Sequence, residues 1–179
     1  NSKIFIYFGN VDSNNALEKI LKIILNKEFK NFKKLVVLPE KKFKTFKIEK
    51  IKKEISNLYL YKFTNNLDHI MSDCMFSIGA AGHNLYERIK AGMLNYVVSQ
   101  SYNQFHTAKK LESLKLIYSC NHFRESQLTI KNQILSLIDK NNNSSYDTLY
   151  NLIDAKFNNK SHNYFLKKLL IHEKNTENK

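Results

Sequence analysis

A short apolar segment that stops at a cluster of small residues constrains the fold of this chain more than any other feature. Residues 76–88 read Phe-Ser-Ile-Gly-Ala-Ala-Gly-His-Asn-Leu-Tyr-Glu-Arg, and an amphipathic run begins directly after the small residues. This order predicts a β-strand, a tight loop and the N-terminus of an α-helix. Such a loop lets a ligand approach the backbone, and the N–H groups of the first helical turn are free to bind an anion. We therefore predict a phosphate-binding loop, with Glu87 one turn inside the helix as an acceptor for sugar hydroxyls.

Strand and helix patterns alternate along the rest of the chain. Apolar runs predict strands at 3–8, 35–38, 58–63, 74–78, 96–99 and 116–118. Amphipathic runs predict helices at 16–25 (with capping residues at 12–15), the second half of 41–56, 67–72, 104–113, 125–138, 146–153 and 162–171. A polar turn is predicted at 141–145. This alternation predicts an α/β fold, a Rossmann-like doubly wound parallel sheet, in one domain that spans residues 1–179.

Four segments with glycine or polar residues follow predicted strands, at 9–10, 63–65, 79–84 and 102–104. Loops that follow parallel strands meet at one edge of the sheet, which is where α/β domains bind ligands. The four segments are therefore predicted to form one site. Their convergence strengthens the phosphate-loop interpretation, but it does not identify the chemistry.

The formal net charge of +13 raises the question of nucleic-acid binding. Almost all of the positive charge is lysine, and Arg88 and Arg124 are the only arginines. Proteins that read base edges or grip nucleic-acid phosphates favour the planar fork of arginine. The lysines also scatter along amphipathic helices, as a solvated face would. We predict no specific nucleic-acid partner, and nonspecific attraction to polyanions stays open.

Other features of the sequence bound the class of protein. No apolar run approaches the roughly 20 residues that a membrane-spanning helix needs. No signal peptide is visible, so we predict a cytoplasmic protein, with an upstream region expected because the chain begins at Asn1. Cys74 and Cys120 are predicted to be buried reduced thiols. The histidines lack metal-ligand spacing, and we predict no metal and no cofactor.

Simpler interpretations of the loop residues stay open at this point. The segment 79–82 taken alone fits a tight strand–helix turn as well as a ligand loop. Glu87 fits a first-turn acid that complements the helix dipole. His83 is a candidate acid–base group because of the general chemistry of histidine, but a phosphate contact or an incidental helix-start position suits it better.

The same residues resemble those of a known enzyme group. The segment 78–82, the pair 87–88, Gly92 and the pair 103–104 are similar to motifs in the C-terminal domain of GT-B nucleotide-sugar enzymes. Within that group the chain looks closest to the UDP-sugar hydrolase of pseudaminic acid biosynthesis and to its spore-coat polysaccharide relatives. The resemblance covers most of the chain, and only the central motif is specific.

The resemblance implies a site for UDP or a UDP-sugar. It implies these ten binding residues: Gly9, Asn10, Phe63, Ala81, Gly82, His83, Asn84, Glu87, Asn103 and Gln104. In the family the loop at 81–84 would hold the diphosphate, and Glu87 would bind the ribose hydroxyls. The backbone near Phe63 would meet the uracil edge, and 103–104 would face the sugar or phosphate.

The chain departs from the family at several positions. The family has a second glycine where Asn10 stands, a Ser-Thr pair at 83–84, a proline near 93–95 and two glycines at 154–157. In the family the catalytic histidine and half of the sugar pocket lie on an N-terminal domain, which we expect this chain to lack.

Two hypotheses of function follow. The first is the UDP(-sugar)-binding half of a GT-B-like hydrolase or glycosyltransferase in bacterial surface-polysaccharide or nonulosonic acid biosynthesis, inactive as an isolated chain. The second is a degenerate α/β interaction module that has lost nucleotide binding and engages a partner domain or a polyanion. The two differ in whether UDP binds and in whether Glu87 matters to any ligand.

Overall fold

The computed structural model describes residues 3–10, 12, 15–45, 57–114, 116–121 and 125–143. The strands in these ranges are β1 Lys3–Tyr7, β2 Lys33–Leu38, β3 Leu58–Lys62, β4 Phe76–Gly79, β5 Leu94–Val98 and β6 Ser119–Asn121. The α-helices are α1 Ala16–Ile24, α2 Glu40–Thr45, α3 Asp68–Met71, α4 Asn84–Lys90, α5 Tyr102–Ser113 and α6 Gln127–Asn143. A short 3-10 helix, Lys27–Phe29, lies between α1 and β2.

The strands form one parallel sheet in the order β3-β2-β1-β4-β5-β6. The chain builds one side of the sheet outward from β1 to β3, and then returns to add β4 on the other side of β1. The predicted Rossmann-like, doubly wound α/β fold is thereby confirmed. Sheets of this kind bind ligands beyond the carboxyl ends of the strands at the point where the strand order reverses, here between β1 and β4.

Helices cover both faces of the sheet. Successive strand residues point to opposite sides, and the strands are apolar on both sides, so each face needs a covering layer. On one face Ile4 and Ile6 of β1 pack in a core with apolar residues of α1 and α6. On the other face Phe5 and Tyr7 pack with residues of α3. Val97 of β5 packs on this second side with residues of α4 and α5. Both faces of the sheet are therefore buried, and this packing fixes the positions of the loops at the edge of the sheet.

The last strand begins later than the sequence pattern predicts. The predicted strand at 116–118 is wrong, since β6 is Ser119–Asn121. Ile117 is 2% exposed and packs among residues of α4 and α5, so its apolar character reports helix packing and not strand pairing. The chain reaches the sheet only at Tyr118, whose N–H donates to the carbonyl oxygen of Asn95 at 3.1 Å.

The predicted polar turn at 141–145 is wrong in its first part, because α6 continues to Asn143. Extending an existing helix adds a hydrogen bond per residue without a new nucleation cost. The preceding turns of α6 are anchored by Ile130 and Ile134, which are buried in the core. The remainder of this turn and the predicted helices in the second half of 41–56, at 146–153 and at 162–171 lie outside the described residues.

A carboxylate upstream of α1 satisfies the first backbone donors of that helix. Oδ1 of Asp12 accepts a hydrogen bond from the N–H of Ala16 at 2.7 Å, and Oδ2 accepts one from Leu17 at 3.3 Å. Asn15 stands at the N-cap position with φ of 50° and makes no side-chain capping bond. Of the two predicted capping positions that the structure describes, 12 and 15, Asp12 is the one whose side chain caps the helix.

Replacing Asp12 by Ala is expected to lower the free energy of unfolding by about 1–2 kcal/mol, since two buried N–H groups lose a charged acceptor. Urea denaturation followed by circular dichroism measures this loss. The control is Asp73→Ala, which removes an exposed ion pair with Lys3 at 2.7 Å. Exposed ion pairs contribute little to stability, so equal losses for the two variants would contradict the assigned role of Asp12.

Cys74 is a buried free thiol, as predicted. Its Sγ donates to the carbonyl oxygen of Ile70 at 3.2 Å. Burial raises the pKa of this thiol to about 11, so it stays protonated at neutral pH. The side chain of Cys120 lies outside the described residues.

Candidate functional site

A cavity of about 430 Å³ opens at the carboxyl edge of the sheet, where the strand order reverses. Its walls come from the end of β1 with its following loop, the loop after β3, the loop and first turns of α4, and the start of α5. These are the segments that the sequence predicts to share one edge. The topology therefore brings them together as expected of a parallel sheet.

Most of the predicted binding residues line this cavity. Those that line it are Gly9, Asn10, Phe63, Gly82, His83, Asn84, Glu87 and Gln104. Ala81 does not, because its side chain is 1% exposed and packs with Leu85 beside the helices of that face. Asn103 is exposed in the first turn of α5 and also lies outside the lining, since the helix directs the next residue, Gln104, toward the cavity.

Because Gly79 has no side chain, the backbone at the start of the loop can pack directly against the backbone of β1. A Cβ built on Gly79 would overlap the carbonyl oxygen of Tyr7 and lie 2.8 Å from Nη1 of Arg88. The next residue is tied to the same strand, because the N–H of Ala80 donates to the carbonyl oxygen of Tyr7 at 3.3 Å. The small residue thus has a packing role that is independent of any ligand.

The loop leaves backbone donors unused. The carbonyl oxygens of Gly82 and His83 accept hydrogen bonds from Leu85 at 2.9 Å and from Tyr86 at 3.2 Å, which closes the first turn of α4. The N–H groups of 81–84 have no acceptor in the part of the chain that the structure describes. Consecutive unpaired N–H groups of this kind suit a polyanionic group such as a diphosphate.

Glu87 presents a carboxylate to the cavity from the first turn of α4. Its side chain is exposed, and its Oε2 accepts a hydrogen bond from Nδ2 of Asn84. This contact orients the carboxylate and leaves Oε1 able to accept further hydrogen bonds. A carboxylate held in this way can bind two neighbouring hydroxyl groups of a sugar.

Two aromatic rings stack at the wall formed by β1 and β3. The ring centroids of Tyr7 and Phe63 lie 5.6 Å apart with an interplanar angle of 10°. Burial, and to a smaller extent the Glu87 carboxylate, raise the pKa of the Tyr7 phenol to about 12. The phenol is therefore neutral at physiological pH and gives this wall an apolar, planar character.

A glutamine pair links the end of β5 to the end of β1. The backbone N–H of Gln100 donates to Oε1 of Gln104 at 2.9 Å. Nε2 of Gln100 donates to the carbonyl oxygen of Phe8 at 3.0 Å. The hydroxyl of Ser101 accepts from the N–H of Gln104 at 3.4 Å and caps α5. These bonds hold the Gln104 side chain at the cavity.

Arg88 is a residue of the cavity that sequence reasoning did not assign to the site. Its side chain is 1% exposed, yet it lines the cavity from below the loop. Nη1 donates to Oγ of Ser77 at 3.2 Å, and Nη2 donates to the carbonyl oxygen of Ala80 at 2.5 Å. Composition was the one feature of the sequence that could have pointed to Arg88, because an arginine directly after Glu87 is unusual in a chain whose cations are almost all lysine.

Two features are absent from the described ranges. They contain no cluster of three or more His, Cys, Asp or Glu side chains that could hold a metal ion. They also contain no helix with the length and apolar character to cross a bilayer.

Comparison with known proteins identifies the fold. No protein-family model and no curated protein matches the chain. A glycotransferase of kitacinnamycin superimposes with a TM-score of 0.64 at 10% identity, over 87% of this chain and 40% of that one. The spinosyn rhamnosyltransferase SpnG, complexed with thymidine diphosphate, gives 0.62 at 14% identity, over 86% and 42%. UDP-GlcNAc 2-epimerase from Neisseria meningitidis, bound to UDP-GlcNAc, gives 0.59 at 14% identity, over 96% and 44%.

The chain thus spans less than half the length of these solved structures, each of which it matches at low identity. Identities in this range establish a shared fold and nothing about shared ligands. The strand order and the place of the cavity agree with that conclusion. The chain has the Rossmann-like fold of one half of a GT-B enzyme.

Proposed function

We propose that this domain binds UDP or a UDP-sugar in the cavity and forms the nucleotide-binding half of a GT-B-like hydrolase or glycosyltransferase. One observation carries the proposal: the unused N–H groups of 82–84, the Glu87 carboxylate and the buried Arg88 meet at one cavity where the strand order reverses. The N–H groups and the guanidinium suit a diphosphate. The carboxylate suits the ribose diol, because it can accept a hydrogen bond from each hydroxyl.

In the proposed binding mode each part of the ligand contacts a different wall of the cavity. The diphosphate lies against 81–84, where Ala81 contributes only its backbone N–H, so its buried side chain is compatible with this role. The ribose lies at Glu87. The uracil lies toward Phe63, and the sugar or phosphate lies toward Gln104. In this arrangement Asn103 would approach the ligand only from the rim.

The finer assignment rests on the sequence resemblance. The motifs at 78–82 and 87–88 support a place among the UDP-sugar hydrolases and glycosyltransferases of bacterial surface-polysaccharide or nonulosonic acid biosynthesis, acting in the cytoplasm. In such enzymes the reacting groups come from both sides of a cleft between two domains. We accordingly propose binding without turnover for this chain alone and assign no catalytic residue to it.

Thermal unfolding of the chain in the presence of UDP tests the proposal. UDP is expected to raise the melting temperature progressively with its concentration, with a stabilisation of about 2.7 kcal/mol at a concentration one hundred times the Kd. Uridine and inorganic pyrophosphate are the controls. Each engages only one part of the cavity, so each should need a higher concentration than UDP for the same shift.

An unchanged melting temperature at millimolar UDP, in a chain shown by circular dichroism to be folded, would contradict nucleotide binding. The alternative hypothesis of a degenerate interaction module predicts the opposite result. It expects salt-sensitive binding to a polyanion such as heparin through the lysines, with no response to UDP.

A further inference from the structure

Arg88 combines full burial with a position at the cavity. It is the largest of the fully buried side chains of the described residues, at 1% exposure. It projects from α4 beneath the ligand loop and lines the cavity together with Ala80 and Gly82. A buried guanidinium calls for a partner that offsets the loss of hydration.

Among the described residues, the partners of the guanidinium are neutral and none is a counter-ion. The guanidinium donates to the hydroxyl of Ser77 and to the carbonyl oxygen of Ala80. Nε is buried and has no hydrogen-bond acceptor in the described ranges. No carboxylate there lies within ion-pair distance of Arg88. Burial lowers the pKa of Arg88 to about 9, against the opposing effect of the neighbouring Glu87, and the group stays charged at neutral pH.

Further hydrogen bonds orient the Ser77 hydroxyl that accepts from the guanidinium. Oγ of Ser77 donates to Oδ1 of Asn95 at 2.6 Å, and Nδ2 of Asn95 donates to the carbonyl oxygen of Met93 at 2.6 Å. The serine oxygen is therefore oriented to accept from Arg88. Since Ala80 is bound to the other end of the guanidinium, the start of the loop is fixed to the interior of the sheet.

We propose that Arg88 is a charged positioning residue of the cavity. Because of Arg88, the cavity binds a ligand that carries a diphosphate more tightly than the same ligand without phosphate. Arg88 acts in two ways. It holds the Ala80 carbonyl oxygen beneath the loop, so that the following N–H groups stay available to the ligand. Its unneutralised charge also favours an anion above it. The inference rests on the proposed function, because it concerns the diphosphate part of that site.

The first test compares UDP, UMP and uridine by isothermal titration calorimetry with the wild-type chain, Arg88→Lys and Arg88→Met. Met has a similar length and no charge. In Arg88→Met we expect the Kd for UDP to rise at least about tenfold and the Kd for uridine to change less than about twofold. Arg88→Lys should recover part of the loss. The matched control is Lys90→Met, which removes an exposed charge from the same helix and should leave the UDP-to-uridine ratio unchanged.

The outcomes distinguish failure of the proposed function from failure of the inference about Arg88. A wild-type chain that binds no UDP refutes the proposed function and with it this inference. A wild-type chain that binds UDP, with a folded Arg88→Met variant that keeps the wild-type ratio of UDP to uridine affinity, refutes the inference alone. Equal losses for UDP and uridine also refute it, because they indicate a merely structural role.

A second measurement uses the wild-type chain and so does not depend on the folding of a variant. The chain contains two arginines, so selective ¹⁵N-arginine labelling gives two Nε–H signals, which Arg124→Lys assigns. We expect the Arg88 signal to shift on titration with UDP and to stay in place with uridine at equal saturation. An Arg88 signal that responds equally to both ligands, or to neither, overturns the proposal.

Discussion

Gly79→Ala is expected to lower the free energy of unfolding by roughly 3 kcal/mol or more, the largest stability loss among the substitutions considered. The added methyl would overlap the carbonyl oxygen of Tyr7 and lie 2.8 Å from Nη1 of Arg88. The first of these atoms belongs to the backbone of the central strand β1, which is paired on both sides. It cannot move away without loosening the β1–β4 pairing, so the cost is high. Urea denaturation measures the loss.

The matched control for Gly79→Ala lies in the same loop. A Cβ on Gly82 would meet no atom within 4 Å, and Gly82 does not have a left-handed backbone. Gly82→Ala is therefore expected to change the free energy of unfolding by less than about 1 kcal/mol. If the two variants lost the same stability, the assigned clash at the end of β4 would be incorrect.

Glu87→Ala is expected to raise the Kd for UDP at least tenfold, roughly 1.4 kcal/mol or more in binding free energy, while the stability of the free chain changes little. The carboxylate is exposed in the cavity, so its loss removes an acceptor from the ligand and leaves the core intact. Isothermal titration with UDP and with 2′,3′-dideoxy-UDP assigns the loss to the ribose. The wild-type chain should prefer UDP, and Glu87→Ala should bind the two ligands equally.

The control for Glu87→Ala is Glu18→Ala, which removes an equivalent first-turn acid from α1. Glu18 is exposed and forms an ion pair with Lys22 at 3.0 Å. Because it lies outside the cavity, its loss should leave the Kd for UDP unchanged. A Glu87→Ala variant that still prefers UDP to the dideoxy ligand would show that the carboxylate only complements the helix dipole.

Most of the fold could be predicted because its signals are local. The continuous apolar run of β1, the amphipathic face of α1 and the small residues after β4 each follow from neighbouring positions in the sequence. The position of β6 could not be predicted in the same way. Ile117 is apolar because it packs against α4 and α5, and a single sequence does not distinguish that from strand pairing.

The candidate site was predictable to the extent that it is built from loop backbone. Gly82, His83 and Glu87 belong to one contiguous segment, and parallel-strand topology places Gly9 and Phe63 beside it. Arg88 was not assigned because its role depends on burial, which arises from tertiary packing. The same holds for Ala81 and Asn103, whose directions relative to the cavity depend on how α4 and α5 pack on the sheet.

The polar bonds between β4 and β5 also bear on how the chain selects one strand alignment. Ser77 and Asn95 are opposite each other in the parallel ladder, and their side chains are hydrogen-bonded in a fully buried layer. A slip of β5 by one residue would turn Asn95 to the other face of the sheet and leave the Ser77 hydroxyl without its acceptor. Apolar residues alone would tolerate such a slip more easily, since Leu94, Tyr96 and Val97 are all apolar. The interior amide thus favours one register of β5, and the same register orients the Ser77 hydroxyl that accepts from Arg88.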